Sequence, residues 1–215
     1  MGRFSYTDAD NYGVSGASSY FSIKNDGDVA RVRFMYNDME DVEGFAVHEV
    51  EIDGKRKYVN CLREYNEPKS KCPFCEAGNM QKAKLFIPIY DENDNEIKVW
   101  ERGKNFISQI SSICARYAKG DKPLVSHIFE IERHGKVGDP QTSYQIFEVE
   151  SDDTTLEDLG AIPEVIGTFI LDKSADEMRV YLDDGVFPEV GLRPIRRKEE
   201  VVTRRTPTRR AEDSF

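Results

Sequence analysis

Four residues in one stretch of this chain carry side chains that bind metal ions: His48, Cys61, Cys72 and Cys75. Their spacing is H-x12-C-x10-C-x2-C. Zinc favours four soft or borderline donors in a tetrahedron, and one imidazole with three thiolates is a closed, structural set. In Cys72-Pro73-Phe74-Cys75 two intervening residues let both sulfurs face one ion. Four protein ligands leave no position for water, so the chemistry expected is one structural Zn2+ and no catalysis. His127 and His134 compete with His48 for the nitrogen position.

Other readings of these residues are weaker. A redox Cys-x-x-Cys pair usually accompanies a βαβ unit, and no such unit is visible. Two disulfides would need an oxidising compartment. Residues 1–10 are polar and lack the apolar segment of a secretory signal. A zinc deaminase needs His-x-Glu and Pro-Cys-x-x-Cys. Here Val50 stands at the Glu position and Lys71 precedes Cys72. No other acid–base or nucleophile constellation stands out, so the protein is read as a non-enzyme.

The elements that must position the ligands can be read around them. Asp53-Gly54 is a strong two-residue hairpin signal between strands at Phe45–Ile52 and Lys55–Leu62, and it would bring His48 and Cys61 together. Upstream, Asp28–Tyr36 alternates as a strand with Ala30, Val32, Phe34 and Tyr36 on one face and Arg31 and Arg33 on the other. Beyond the Cys72–Cys75 knuckle a helical turn is expected at Glu76–Gln81. A hairpin then pairs Ala83–Tyr90 with Glu96–Glu101. The stripe Phe106, Ile107, Ile110, Ile113, Cys114 and Tyr117 predicts a helix over 104–118, which makes Cys114 a core thiol. Strands follow at Leu124–Arg133 and Ser143–Glu150. Helical regions are expected at Thr154–Leu159, from Pro163 to near Leu171, and at Ser174–Leu182. Ser174 and Glu177 form a capping box for the last of these, and Gly185 ends it.

The fold class expected is mainly β with helices (α+β): a small Greek-key barrel of the oligonucleotide-binding type, with a zinc subdomain inserted at about 45–80. It would occupy residues 20–192, between a flexible arm at 1–19 and a disordered tail at 193–215. The net charge is −10, but the tail holds eight basic residues against four acidic ones and ends Glu212-Asp213-Ser214-Phe215. The body is therefore acidic, with 22 basic and 36 acidic residues. No apolar run reaches membrane-spanning length, so no membrane partner is expected.

Barrels of this kind hold single strands with a basic groove and aromatic platforms. The cations that could line such a groove are Arg31, Arg33, Lys55, Arg56, Lys57, Arg63, Lys84, Lys98, Arg102 and Lys104. The platforms put forward are Tyr58, Tyr65, Phe86 and Trp100, with Tyr36, Phe74 and Tyr90 behind them. Against this stands the plainer reading that the cations form a solvated face and the aromatics a core.

The order strand, His48, hairpin, Cys61, Cys72-Pro73-Phe74-Cys75, hairpin, helix resembles the single-stranded DNA-binding proteins of T-even and related tailed phages. Gly54-Lys55 and Trp100-Glu101-Arg102-Gly103-Lys104 add to the likeness, which spans roughly residues 20–150. The resemblance implies zinc on His48, Cys61, Cys72 and Cys75, and a DNA groove between barrel and zinc subdomain. It implies coating of single-stranded DNA in phage replication, recombination and repair, in the cytoplasm of the infected bacterial host. Residues 1–10 lack the family's Lys-Arg-Ser-Thr type segment, which supports cooperative binding. The tail is basic where the family's is acidic, although its tip could still dock on phage replication and recombination proteins. The alternative is a zinc-stapled protein-interaction or RNA-binding module.

Overall fold

A computed structural model describes residues 19–36, 41–117 and 119–188. All but residue 19 of the expected N-terminal arm, and the whole basic tail with its acidic-Phe tip, lie outside these residues. The elements run β1 (Ser19–Tyr20), β2 (Val29–Phe34), β3 (Gly44–Ile52), β4 (Lys55–Asn60), α1 (Pro73–Glu76), β5 (Lys82–Asp91), β6 (Glu96–Gly103), α2 (Ile107–Tyr117), β7 (His127–His134), β8 (Ser143–Ser151), α3 (Leu156–Leu159), β9 (Ile170–Leu171) and α4 (Ala175–Asp184). The fold is α+β and dominated by one sheet.

The sheet has nine strands in the order β8-β7-β2-β5-β3-β4-β9, with β6 on β5 and β1 on β6. β5 is the branching strand. Along one edge it pairs with β6 from Lys84 to Asp91. On the other edge its end takes β2 (Phe34↔Ile89) and its start takes β3 (Gly44↔Leu85). Among the described residues these pairings form an open, forked sheet.

A strand covered on both faces sends alternate residues into different cores. Leu85, Ile87 and Ile89 of β5 enter the main core with Val32, Phe34, Trp100, Ile110, Phe129 and Ile131. Phe86 turns the other way, onto Val47, Tyr58, Val99, Phe169 and Ile170. A third cluster joins Val50, Val59, Cys72, Phe74, Cys75 and Met178.

Several boundaries differ from the expectation for local reasons. The helical turn forms at α1, before Glu76–Gln81, because Pro73 suits the first helical position and Gly78, at φ 88°, ends the turn. The helix expected over 104–118 starts as a 3-10 turn, Lys104–Phe106, before α2. No helix forms from Pro163 to Leu171. Gly167 adopts φ 93°, the Phe169 and Ile170 N–H groups both donate to the Val165 carbonyl, and the chain turns into β9 parallel to β4. α4 has the caps expected: the Ser174–Glu177 box closes its start, and Gly185 ends it in the left-handed region at φ 75°.

Candidate metal centre and adjoining groove

The β3–β4 hairpin places two of the four metal-type donors. Asp53 (φ 52°) and Gly54 (φ 69°) are both left-handed, as a two-residue hairpin turn requires. That turn fixes the register Val47↔Asn60 and His48↔Val59, and Cys61 N–H donates to the Ala46 carbonyl at 3.0 Å. Cys72 caps α1 and Cys75 lies within it. The four donor atoms all lie within 4.8 Å of one another.

The edges of this cluster fit one tetrahedral ion. Cys61 Sγ to Cys75 Sγ is 3.7 Å, and His48 Nε2 is 3.4 Å from Cys72 Sγ and 3.6 Å from Cys75 Sγ. Ordinary zinc bond lengths in a tetrahedron give about 3.8 Å between sulfurs and about 3.6 Å between sulfur and nitrogen. His48, Cys72 and Cys75 are buried and Cys61 is half-buried. The other two histidines are engaged elsewhere: His127 Nδ1 is 2.6 Å from a Glu148 oxygen and His134 Nε2 is 3.7 Å from Glu132. His48 is therefore the imidazole of the cluster.

The electrostatics fit a cation as well. Burial pushes the Cys61 thiol up to about 12 and also raises Cys75. Burial lowers His48, which favours the neutral ring that a metal needs. Burial acts on Cys72 too, but hydrogen bonds from the backbone of Cys75, Leu62 and Phe74 outweigh it and hold that thiol below its usual range. Three sulfurs this close ionise together only with a positive charge among them. The four residues would hold a soft divalent ion, and the ion would cross-link the β3–β4 hairpin to α1.

One donor of the cluster, Cys61, lines a groove. Between the segment around Cys61 and the β3–β5–β6 part of the sheet lies an open space of about 970 Å³, lined by Phe45, Arg63, Glu64, Tyr65, Lys82, Lys84 and Lys104 among others. Tyr65 is 93% exposed. Arg63 donates to Gln81 Oε1 at 2.7 Å, and Gln81 Nε2 donates to Cys61 Sγ at 3.2 Å, so one groove cation is tied to a metal ligand. Lys84 pairs with Glu101 at 2.5 Å and Lys82 pairs with Glu49. Lys82 was not among the expected cations, although the alternation Lys82-Ala83-Lys84 places it on the Lys84 face.

Of the expected nucleic-acid contacts, the groove brings together Arg63, Tyr65, Lys84 and Lys104. Lys55, Arg56 and Lys57 are exposed on β4 beside the hairpin turn and do not line it. Three of the expected aromatic platforms are buried. Trp100 is fully buried against Phe21, Phe106 and Tyr144. Phe86 and Tyr58 are buried against each other, and the Tyr58 hydroxyl donates to Glu101. None of the three has more than 4% of its surface exposed.

Three of the expected cations are held in ion pairs away from the groove lining. Arg33 is buried, forks onto Asp152 at 2.9 and 2.7 Å, and also pairs with Glu92. The Arg33 guanidinium holds the Asp152 carboxyl well below the usual carboxylate range. Lys98 pairs with Asp91 at 2.8 Å and with Asp94. Arg31 reaches Glu150 at 2.8 Å across the β2–β7–β8 face. These three brace the sheet. Arg102 lies over the Trp100 and Tyr144 rings, 4.4 and 4.1 Å from their centroids.

No protein-family model matches the chain, and no curated protein matches it. Among the described residues no helix is long and apolar enough to cross a membrane.

Proposed function

We propose that this protein is a non-catalytic single-stranded DNA-binding protein. It resembles those of T-even phages and acts in DNA replication, recombination and repair in the cytoplasm of the infected bacterial host. In this reading the forked sheet is a variant of the oligonucleotide-binding barrel, and one structural Zn2+ holds the metal-side wall of the groove. The observation that carries the reading is the groove itself. It sets the exposed Tyr65 ring beside Arg63, Lys82, Lys84 and Lys104. A single strand offers the matching features, a π-face on every base and a line of phosphates. The basic tail and its acidic tip are left for replication and recombination partners.

The cations set the character of the binding. Lys82 and Lys84 already carry carboxylate partners, which leaves Arg63 and Lys104 as the lining cations without an ion pair among the described residues, and the Glu64 carboxylate lines the groove beside them. Counterion release is then modest, at about 0.7 of a log unit of affinity per log unit of salt for each phosphate neutralised on a single strand. Stacking on Tyr65 contributes about 1–3 kcal/mol.

The test is a fluorescence titration with labelled oligo-dT and a matching duplex at low and high salt. Oligo-dT is expected to bind more tightly than duplex, and salt to weaken it. Tyr65→Ala should lower oligo-dT affinity roughly 5- to 150-fold without changing the salt slope, because it removes a stacking ring and no charge. The paired carboxylates Glu49 and Glu101 favour one competing reading, a zinc-stapled protein-interaction module. Oligo-dT binding that is absent at low salt would select that reading. Tighter binding to oligo-U than to oligo-dT would select the RNA-binding form.

A further inference from the structure

Among the described residues, the buried Arg33 and Lys173 and the half-buried Lys98 each sit beside a carboxylate, respectively Asp152, Glu177 and Asp91. Arg102 and Arg133 do not, in a chain with 40 Asp and Glu residues. Among the described residues neither forms an ion pair, and both line one open pocket of about 660 Å³.

The two guanidinium groups differ in what they have left to give. Arg133 is 9% exposed, and five hydrogen bonds to neutral acceptors occupy it. These are the carbonyls of Gly135, Ile23 and Lys136, the Thr142 hydroxyl and the Tyr144 hydroxyl, at 2.9 to 3.4 Å. It contributes charge and fixes Tyr144. Arg102 lies over the Tyr144 and Trp100 rings, and its Nε is buried without a hydrogen-bond partner. Asp139 also lines the pocket, with one carboxylate oxygen taken by the Gln141 N–H at 2.8 Å. Two like charges so placed, Arg133 buried and Arg102 half-buried, lack the ion pair that Arg33, Lys98 and Lys173 have. A planar guanidinium with open donors matches the paired oxygens of a phosphate.

The pocket continues the groove, because Gly103 and Asn105 line both. Gly103 has an ordinary φ of −73°, so no backbone strain calls for glycine there. A Cβ added at this position would meet nothing within 4 Å. What the glycine leaves is open space between the two.

We propose that Arg102, backed by the charge of Arg133, seats one phosphate group at the end of a path running from the groove over Gly103. The path rests on the single-strand reading of the groove, whereas the phosphate seat stands on Arg102 and Arg133 alone. The phosphate could belong to a strand or be free, and the experiment separates the two.

The full-length protein, 15N-labelled, is titrated with inorganic phosphate while the arginine Nε–Hε resonances are followed. Oligo-dT affinity and salt slope are measured for the wild type, Arg102→Gln, Arg102→Lys and Gly103→Leu, with amide spectra confirming that each variant is folded. Phosphate is expected to shift the Arg102 resonance saturably. Arg102→Gln should weaken oligo-dT binding about tenfold or more, since a charge-assisted hydrogen bond is lost. Its salt slope should be shallower by about 0.7. Arg102→Lys should recover the slope but not the full affinity. Gly103→Leu should keep the phosphate response and bind oligo-dT less tightly. If the wild type takes phosphate but not oligo-dT, the seat stands, it serves free phosphate compounds, and the strand reading fails. If the wild type binds oligo-dT while phosphate leaves Arg102 unmoved and Arg102→Gln changes neither affinity nor slope, the seat is overturned and the strand reading survives.

Discussion

Cys75→Ser is expected to lose the metal and to unfold the metal-side part of the molecule while the main core stays folded. The difference lies in what each part has besides the ion. The main core packs Trp100, Phe34, Phe129 and several Ile and Leu side chains between β-strands and α2. The third cluster has six buried members, and two of them are the thiols Cys72 and Cys75. α4 docks on this cluster: Met178 is one of its members, and Tyr181 and Phe187 pack on Phe74 with ring centroids 5.7 and 6.5 Å apart. A structural zinc site supplies about 10–16 kcal/mol of binding free energy, far more than so small an apolar cluster. Hydrogen exchange should therefore show amides of β4 and α4 losing protection in Cys75→Ser, while those of Ile87 and Ile131 keep it. Loss of protection across all strands at once, or in neither region, would contradict this division. Metal analysis of the same samples should fall from one ion per chain to none. Acid should release the ion, because the thiols must be deprotonated to bind and burial already pushes Cys61 up to about 12.

Trp100→Ala is expected to cost about 3–5 kcal/mol of stability, the range for deleting a large buried aromatic ring. Trp100 has no exposed surface and makes edge contacts with Phe21, Phe106 and Tyr144 at 4.9 to 5.8 Å. Its removal would also take away the ring beneath Arg102. Trp100→Phe should cost far less. The indole Nε1 is buried without a hydrogen-bond partner, so phenylalanine gives up packing volume but removes an unsatisfied donor. Urea denaturation measures both variants, and oligo-dT titration of Trp100→Phe measures function separately. Near-native DNA affinity is expected in Trp100→Phe, because the ring is buried in the core. A large loss of affinity at unchanged stability would contradict that.

What could be read from the sequence was local. Asp53-Gly54 sets a hairpin register through two left-handed residues, and that register delivers His48 and Cys61 to one place. Ser174, Glu177 and Gly185 mark both ends of α4 within the helix itself. The metal donors are chemically distinctive, and two of them are held by a four-residue knuckle. What was missed depends on distant chain. The alternation in β2 puts Arg31 and Arg33 on one face, but it does not say what covers that face. The cover is Glu150 and Asp152, each 119 residues away along the chain. Trp100 and Phe86 follow the same logic. β5 and β6 are covered on both sides, so aromatic residues that alternate as if one face were open are buried on both. The helix expected from Pro163 failed at Gly167, where positive φ and the burial of Phe169 and Ile170 against β4 favour a turn and a parallel pairing.

The central claim is that a metal on His48, Cys61, Cys72 and Cys75 holds one wall of a groove that binds single-stranded DNA. The most direct test is one sample divided in two, metal-loaded and chelated, each assayed for metal content and titrated with oligo-dT at low salt. The account predicts one ion per chain and tight binding in the first, and in the second no ion and affinity lower by at least tenfold, restored when Zn2+ is returned. The same affinity with and without the ion, or no metal in the protein as purified, would contradict it.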